Sequence, residues 1–310
     1  MGSSLLTNSS AMTALQTLRY VSTQLATTQN RISTGQRVAT ASDNAAYWSI
    51  ATSMRSDNAA LSAVSDSLGL SAATVDTEYT ALTSVIGDKD SGLTKLQALL
   101  VEAKTAGIDR TKIQADITQI QQDMNLKANS ATFNGINWLN IDTSASTTAT
   151  PATFKLVSSY SRVGGTPTIG SITVTTANFA LFTTGGASNT GILDTQTSGV
   201  SVANMTIGTL TDSAADQTTL DGYIKQVTTA INSVASAAAN LGAVKNRIAT
   251  NTEFVKTLMD SVDRGVGQLV DADMNAESTR LQALQTQQQL GVQALSIANQ
   301  NSQSILSLFK

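Results

Sequence analysis

The chain has 310 residues, with 19 Lys and Arg against 22 Asp and Glu and an isoelectric point near 5.0, so it lacks the basic surface of a nucleic-acid or anionic-membrane binder. Cysteine and histidine are both absent, which excludes thiol nucleophiles, His-based triads, disulfides and His/Cys zinc sites. Hydrophobic residues reach 41% but aromatics only 4%, a balance suited to long helices packed through Ala, Leu, Val and Ile.

No run approaches ~18 uninterrupted apolar residues, so no membrane span is expected. Met1–Asn8 lacks the basic and apolar regions of a cleaved secretory signal. The first predicted helix carries a weak stripe of Met12, Leu15, Leu18, Leu25 and Ile32. Gly35 stops it, and Ser42-Asp43-Asn44 supplies capping residues for the next helix. Residues 34–43 therefore read as a bend, with a plain exposed loop as the other reading.

From Asn44 to Ala131 there is no proline. Leu61, Leu68, Val75 and Leu82 recur at seven-residue intervals, and Val64, Ala72, Tyr79 and Ile86 lie three or four residues from them. That spacing predicts one buried helix face. Gly87–Gly92 reads as a turn, Leu93, Leu96, Leu99 and Leu100 as a second helix, and Ile113, Ile117, Ile120 and Met124 as a third. Short turns between them predict antiparallel neighbours. Trp48 and Trp138 are the two tryptophans, and with no aromatic cluster beside either they are expected to pack the rod rather than bind sugar.

The middle, Asp142 to Thr206, differs. It holds both prolines (Pro151, Pro167), Gly164-Gly165 and Gly185-Gly186, and between Asp142 and Asp194 its only charges are Lys155 and Arg162. Phe154–Val157 and Ser171–Thr175 flank turn signals and predict a β-hairpin within a small strand-and-loop excursion. For Thr143–Pro151 disorder stays open.

The C-terminal block carries the longest repeat. Leu220, Val227, Val234, Leu241, Ile248, Val255, Val262 and Leu269 are each seven apart, with Lys245 and Thr252 interrupting the neighbouring positions. Such a period implies coiling against partners, and fifty residues of helix would span on the order of 75 Å. The last helix carries Leu281, Leu284, Leu295, Ala298, Ile305 and Phe309 among many Gln and Asn residues. Both terminal helices are thin in apolar surface, so each should order only against the other or against further copies. The fold class expected is mainly α: an elongated antiparallel helical rod, coiled-coil-like, with a small β-rich central insertion. Sticky ends on a rod without catalytic equipment suggest heterologous self-association, which generates filaments when it does not close.

At this point the residues carry a resemblance. Asn30–Val38 (NRISTGQRV), Ala41–Ala46 (ASDNAA), Lys112–Gln119, Phe133-Asn134-Gly135, and the close from Asp271 through Ala298–Asn301 to Ile305–Lys310 resemble the signature stretches of bacterial flagellin. The segment Asn44–Ala51 and the short insertion are most similar to flagellins of rhizobia and related alphaproteobacteria. The resemblance implies a structural subunit of the flagellar filament for swimming motility. A hook–filament junction protein, with similar terminal helices, is the alternative. It implies a filament core from 1–43 and 269–310, a rod from 44–142 and 207–268, and a solvent-facing insertion at 143–206. It further implies extracellular secretion without a cleaved signal. The implied partners are other copies, the flagellar export apparatus, an export chaperone, and cap and junction proteins, with no nucleic acid, membrane or small-molecule substrate. No cofactor or metal is implied, and no enzymatic role: Asp88-Lys89-Asp90 and Asp271-Ala272-Asp273 lack the ligand count of a calcium loop and read as charged turns or caps.

Filament-core packing is assigned on this basis to Leu15, Leu18, Leu25, Ile32, Leu284, Leu295, Ile305 and Leu306, with an intramolecular coiled coil as the plainer reading. The rod seam is Leu61, Leu68, Val75, Leu82, Leu220, Val227, Val234, Leu241, Ile248, Val255 and Val262. The resemblance also maps two immune epitopes. Within 30–51, Asn30, Arg31, Gly35 and Asp43 keep the plant-perceived pattern. Gln36 replaces a leucine, Ser42 a lysine, Asn44 an aspartate, and Tyr47-Trp48-Ser49 a small apolar run, so weak or no elicitation is expected. Lys95 and Asp116 stand where the vertebrate-sensed pattern has arginine and glutamate, and lysine lacks the planar fork.

Overall fold

The computed structural model describes residues 8–142, 153–184, 190–197 and 199–308, with side chains through residue 300. Thr143–Pro151, Gly185-Gly186 and the side chains of Ile305 and Leu306 lie outside the described residues. The elements in chain order are helices α1 (Ser9–Thr34), α2 (Ala45–Ile86), α3 (Gly92–Glu102) and α4 (Arg110–Ser130), strands β1 (Asn140–Asp142), β2 (Thr153–Val163), β3 (Thr166–Thr175) and β4 (Phe182–Thr184), then helices α5 (Ala214–Val270) and α6 (Met274–Leu308). The chain is mainly helical and forms two compact units, one of residues 1–59 and 259–310, the other of residues 60–258.

In the first unit, the Asn8 side-chain oxygen accepts from the Ala11 N–H and starts α1, which ends at Gly35 with φ 70°. That left-handed cap suits glycine. The bend that follows is ordered by polar bonds. Asp43 Oδ2 accepts the Ala39 and Thr40 N–H groups at 3.1 and 2.9 Å, and Asn44 Oδ1 caps α2 through the Ala46 and Tyr47 N–H groups. The chain then pairs with the exit of α5. Arg37 and Val38 N–H both donate to the Val270 carbonyl, and Ala272 N–H donates to that of Gly35. A small core of Val38, Ala51, Val266 and Val270 closes this junction, with Met54, Val262 and Leu269 against it. Asp271-Ala272-Asp273 turns into α6, whose first N–H groups, from Asn275 and Ala276, are capped by Asp273 Oδ1.

In the second unit, α2 buries Leu61, Leu68, Val75 and Leu82 at 3% exposure or less. Its companion line differs from the expected one. Val64 is buried, but Ala72, Tyr79 and Ile86 are only half-buried, and Ser71, Glu78 and Val85 take their places. Polar residues thus occupy two turns of the seam, which hides its seven-residue period. On α5, Leu220, Val227, Val234, Leu241, Ile248 and Val255 are at most 1% exposed. Here α2 and α5 run antiparallel, with Asp76 bonded to Lys245 at 2.7 Å and Tyr79 3.8 Å from where a Cβ on Gly242 would stand. Lys245 interrupts the apolar pattern because it reaches Asp76 and lies 5.9 Å over the Tyr79 ring. Opposite charge and the ring face both favour the ammonium form, and its pKa is raised, chiefly by the Asp76 hydrogen bond.

Helices α3 and α4 bury Leu93, Leu96, Leu99, Leu100, Ile113, Ile117 and Met124. Arg110, 6% exposed, ties the α3–α4 turn to the approach of α5: its guanidinium donates to the carbonyls of Ala103 and Leu210 and to Asp212. The expected hairpin is β2 with β3, antiparallel, turning at Gly164-Gly165 with φ 60° and 84°, the signature of a primed two-residue turn. Pro167 lies within β3 opposite Arg162 rather than in the turn. A second, parallel pair, β1 with β4, has no sequence signal because each strand is three residues long. The excursion also buries residues: Ile172, Val174, Leu181, Leu193 and Met205 are each at most 2% exposed.

Candidate assembly surface

Helices α1 and α6 pack antiparallel in the first unit. Asn8 Nδ2 donates to the Ala298 carbonyl, Arg280 donates to Gln24, and Arg31 pairs with Glu277 at 2.9 Å. The numbers rise on one helix as they fall on the other. The seam is narrow. Val21 and Thr28 on α1, and Glu277 and Leu284 on α6, are its buried members, each pair seven residues apart. Leu18, Leu25, Ile32 and Leu295 are half-buried, and Gly291 makes room for Leu18, whose Cδ1 lies 3.0 Å from where a Cβ on that glycine would stand.

Val21 and Thr28 were not among the expected packing residues. A threonine reads as polar, and only the partner helix shows that its position faces inward. Leu15 behaves differently from the other leucines. It is 37% exposed, and it lines an open groove with Asn8, Met12, Arg19, Leu295 and Asn299. Met12, Tyr20, Leu290, Val292 and Ile297 are also more than half exposed. The pair thus uses one thin stripe of each helix and leaves large apolar side chains outside it, more than a soluble two-helix pair needs.

The rod-seam residues fall within the second unit except Val262, which is partly buried in the first beside Val266 and Val270. Full burial passes from Val255 to Val266, an eleven-residue step. A straight helix carries a seven-residue series around its surface by about 20° per heptad, and an eleven-residue step turns about 20° the other way, offsetting one heptad of that drift.

The epitope-like residues differ in their surroundings. Arg31 is bound to Glu277, and the backbone at Gln36 pairs opposite Asp271. Asn30 is exposed, Gly35 is the α1 cap, and Ser42 Oγ lies 3.2 Å from Thr40 Oγ1. Asp43 and Asn44 hold the bend as described. Hydrogen bonds from the Thr40 backbone and hydroxyl hold the Asp43 carboxyl below its usual pKa. In the second unit Lys95 is half-buried on α3 and Asp116 exposed on α4.

The most perturbed acid belongs to the rod. Glu78 is fully buried and accepts the Trp138 N–H at 2.9 Å, while its other oxygen has no partner. Burial pushes its pKa from 4.5 to about 7, opposed by that single hydrogen bond. Among the described residues no cluster of acidic side chains could hold a metal ion, and no helix is long and apolar enough to cross a membrane.

Residues 5–143 match the bacterial flagellin N-terminal helical region and residues 224–309 the bacterial flagellin C-terminal helical region. The chain is 44% identical to flagellin C of Rhizobium meliloti (strain 1021) over 99% of both chains. It is 46% identical to the flagellin of Brucella melitensis biotype 1, again over 99% of each. With flagellin A of Rhizobium meliloti it shares 39% identity over 99% of this chain and all of that one.

Proposed function

Because the chain belongs to the bacterial flagellin family, we propose that the α1/α6 pair is the part through which its copies polymerise. The protein is a structural subunit of the extracellular flagellar filament and self-assembles into that helical propeller for swimming motility. In the finer reading, residues 1–43 and 269–310 form the inner filament core and 44–142 with 207–268 the rod, with 143–206 facing solvent. Leu18, Leu25, Ile32 and Leu284 close the seam within one subunit, and Leu295, half-buried there, also lines the open groove beside Leu15. Leu15, and by their place in the α6 sequence Ile305 and Leu306, pack against neighbours. Export proceeds through the flagellar export apparatus with a chaperone and without signal cleavage, and growth proceeds under cap and junction proteins. The departures at Gln36, Ser42, Asn44 and Tyr47-Trp48-Ser49, and those at Lys95 and Asp116, support weak or no perception by the plant receptor and weakened perception by the vertebrate one.

The observation carrying this reading is the set of large apolar residues, Met12, Leu15, Tyr20, Leu290, Val292 and Ile297, left outside the α1/α6 seam, with Met12, Leu15 and Leu295 lining one open groove. A charge placed in that surface is desolvated on assembly. The full-length Leu15→Asp and Leu295→Asp chains should keep rod helicity by circular dichroism yet fail to elongate filament seeds. Normal filaments from both variants would refute the assignment.

A further inference from the structure

Between Asp142 and Asp194 the chain holds two charged residues, Lys155 and Arg162, and no acid, although its net charge is −3. Both lie on β2, seven residues apart, and on a regular strand an odd separation points side chains to opposite faces. Here the ladder is offset between Val157 and Ser159, and a Cβ on Gly170 would meet the hydroxyl oxygens of both Ser158 and Ser159. The two serines therefore share a face, and Ser158 is the extra residue of a bulge. Beyond it the alternation is reversed. Lys155, Tyr160 and Arg162 fall on one face of the hairpin, paired across the ladder with Thr173, Ile169 and Pro167.

The opposite face is the packed one: Ile172 and Val174 are 1% and 2% exposed, and the Phe154 ring centroid lies 5.5 Å from that of Trp138. On the charged face Lys155, Arg162, Ser171 and Thr173 are exposed, and Ile169 is 67% exposed. Tyr160 is half-buried, its hydroxyl accepting from Arg162 Nη2 at 3.3 Å. The bulge thus gathers the two cations and an aromatic ring on one solvent-facing side, with the cations six ladder steps, about 20 Å, apart.

We propose that this face binds an acidic polysaccharide, its cations meeting carboxylates while the Tyr160 ring stacks on a sugar between them. The proposal rests on the chain being a filament subunit with 143–206 facing solvent. Charge spacing selects the occupant. Two cations about 20 Å apart cannot close on one small anion. A nucleic acid, with one charge per ~1.7 Å of duplex, is held by many cations together, and an anionic lipid surface by clusters of about four to eight. A polymer whose carboxylates alternate with uncharged, hydroxyl-bearing sugars matches two sparse cations flanked by Ser171 and Thr173. One copy binds weakly, because an exposed ion contact contributes little. A filament repeats the face on every subunit, and a ligand that also repeats gains by avidity.

The test is co-sedimentation of intact filaments with labelled hyaluronate, in which carboxylates alternate with uncharged sugars. Wild-type filaments should retain it at about 20 mM salt, release it at about 0.5 M, and ignore neutral dextran. Filaments of the Lys155→Gln/Arg162→Gln chain should retain roughly tenfold less, whereas Lys112→Gln, at an exposed lysine elsewhere, should change nothing. Ser161→Arg combined with Arg162→Ser keeps the charge but moves it to the other face, and should weaken retention as Arg162→Gln alone does. Undiminished retention by the neutralised or the exchanged filaments overturns the proposal. So does hairpin-dependent binding to phosphatidylglycerol vesicles in place of hyaluronate, or no retention by either wild-type filaments or subunits arrayed on beads. Retention by arrayed subunits but not by filaments would instead overturn the solvent-facing placement, and failure of the wild-type chain to elongate seeds the subunit reading.

Discussion

Replacing Glu78 by glutamine isolates one buried acid in the rod. The carboxyl is fully buried, bonded to one backbone N–H and otherwise unpartnered, so its ionised form is poorly solvated. Its pKa stands at about 7 against 4.5 in the unfolded chain. Between those values the folded state keeps a proton that the unfolded state has released, so stability falls as pH rises through the window and levels off above it. Each pKa unit corresponds to about 1.4 kcal/mol, so the whole loss is about 3 kcal/mol. Glu78→Gln keeps an oxygen to accept the Trp138 N–H but cannot titrate. Urea unfolding can be followed by Trp138 fluorescence in a Trp48→Phe background. The parent and the Glu78→Gln chain should be nearly equal in stability at about pH 4, and the substituted chain should lead by about 3 kcal/mol at about pH 8. A difference that stays constant across that range would refute the reasoning.

Arg110→Ala should cost about 3 kcal/mol in the same assay, because the Ala103 and Leu210 carbonyls lose their donor, and Arg110→Lys should not restore it, since lysine lacks the fork. Leu241→Ala, in the fully buried stretch of α5, should cost about 3 kcal/mol against about 1 kcal/mol for Val262→Ala at its partly buried end; equal costs would contradict the drift of the seam. Asp43 has a depressed pKa, so its hold on the bend is fully present above the unfolded value of 3.8 and is lost as pH falls through the lower folded value. Protection of the Thr40 amide, its exchange compared with the intrinsic rate at each pH, should fall on acidification, and Asp43→Asn should remove that pH dependence.

The helical layout was legible where apolar identity and burial coincide, as along Leu220–Val255. It was not legible at Ser71 and Glu78, because hydrophobic periodicity reports composition and these polar side chains are buried by their place in the seam. Ala72 and Tyr79, one residue on, made a plausible substitute. The helix stop at Gly35 and the cap at Asn44 were readable because a left-handed residue and an N-cap oxygen each demand particular side chains. The β1–β4 pair was invisible, being two three-residue strands brought together by chain distant in sequence. At the assembly surface, the weak stripe of α1 located the helix but not its two sides, so Leu15 was grouped with Leu18 although only the latter enters the seam. Trp48, expected to pack the rod, is 37% exposed, because size and apolarity do not say which side of a helix faces the core.

The pairing of α1 with α6 joins residues separated by 246 positions at Arg31–Glu277 and by 290 at Asn8–Ala298. The first helix to be synthesised therefore waits for the last, since its stripe is too thin to persist unaided. A chain interrupted anywhere before α6 would carry an α1 with nothing to pair with, however well its middle had folded. Completeness of the polypeptide thus becomes a condition for forming the pair, and if copies are recruited through it, as proposed, a growing polymer discards fragments without a separate proofreading device.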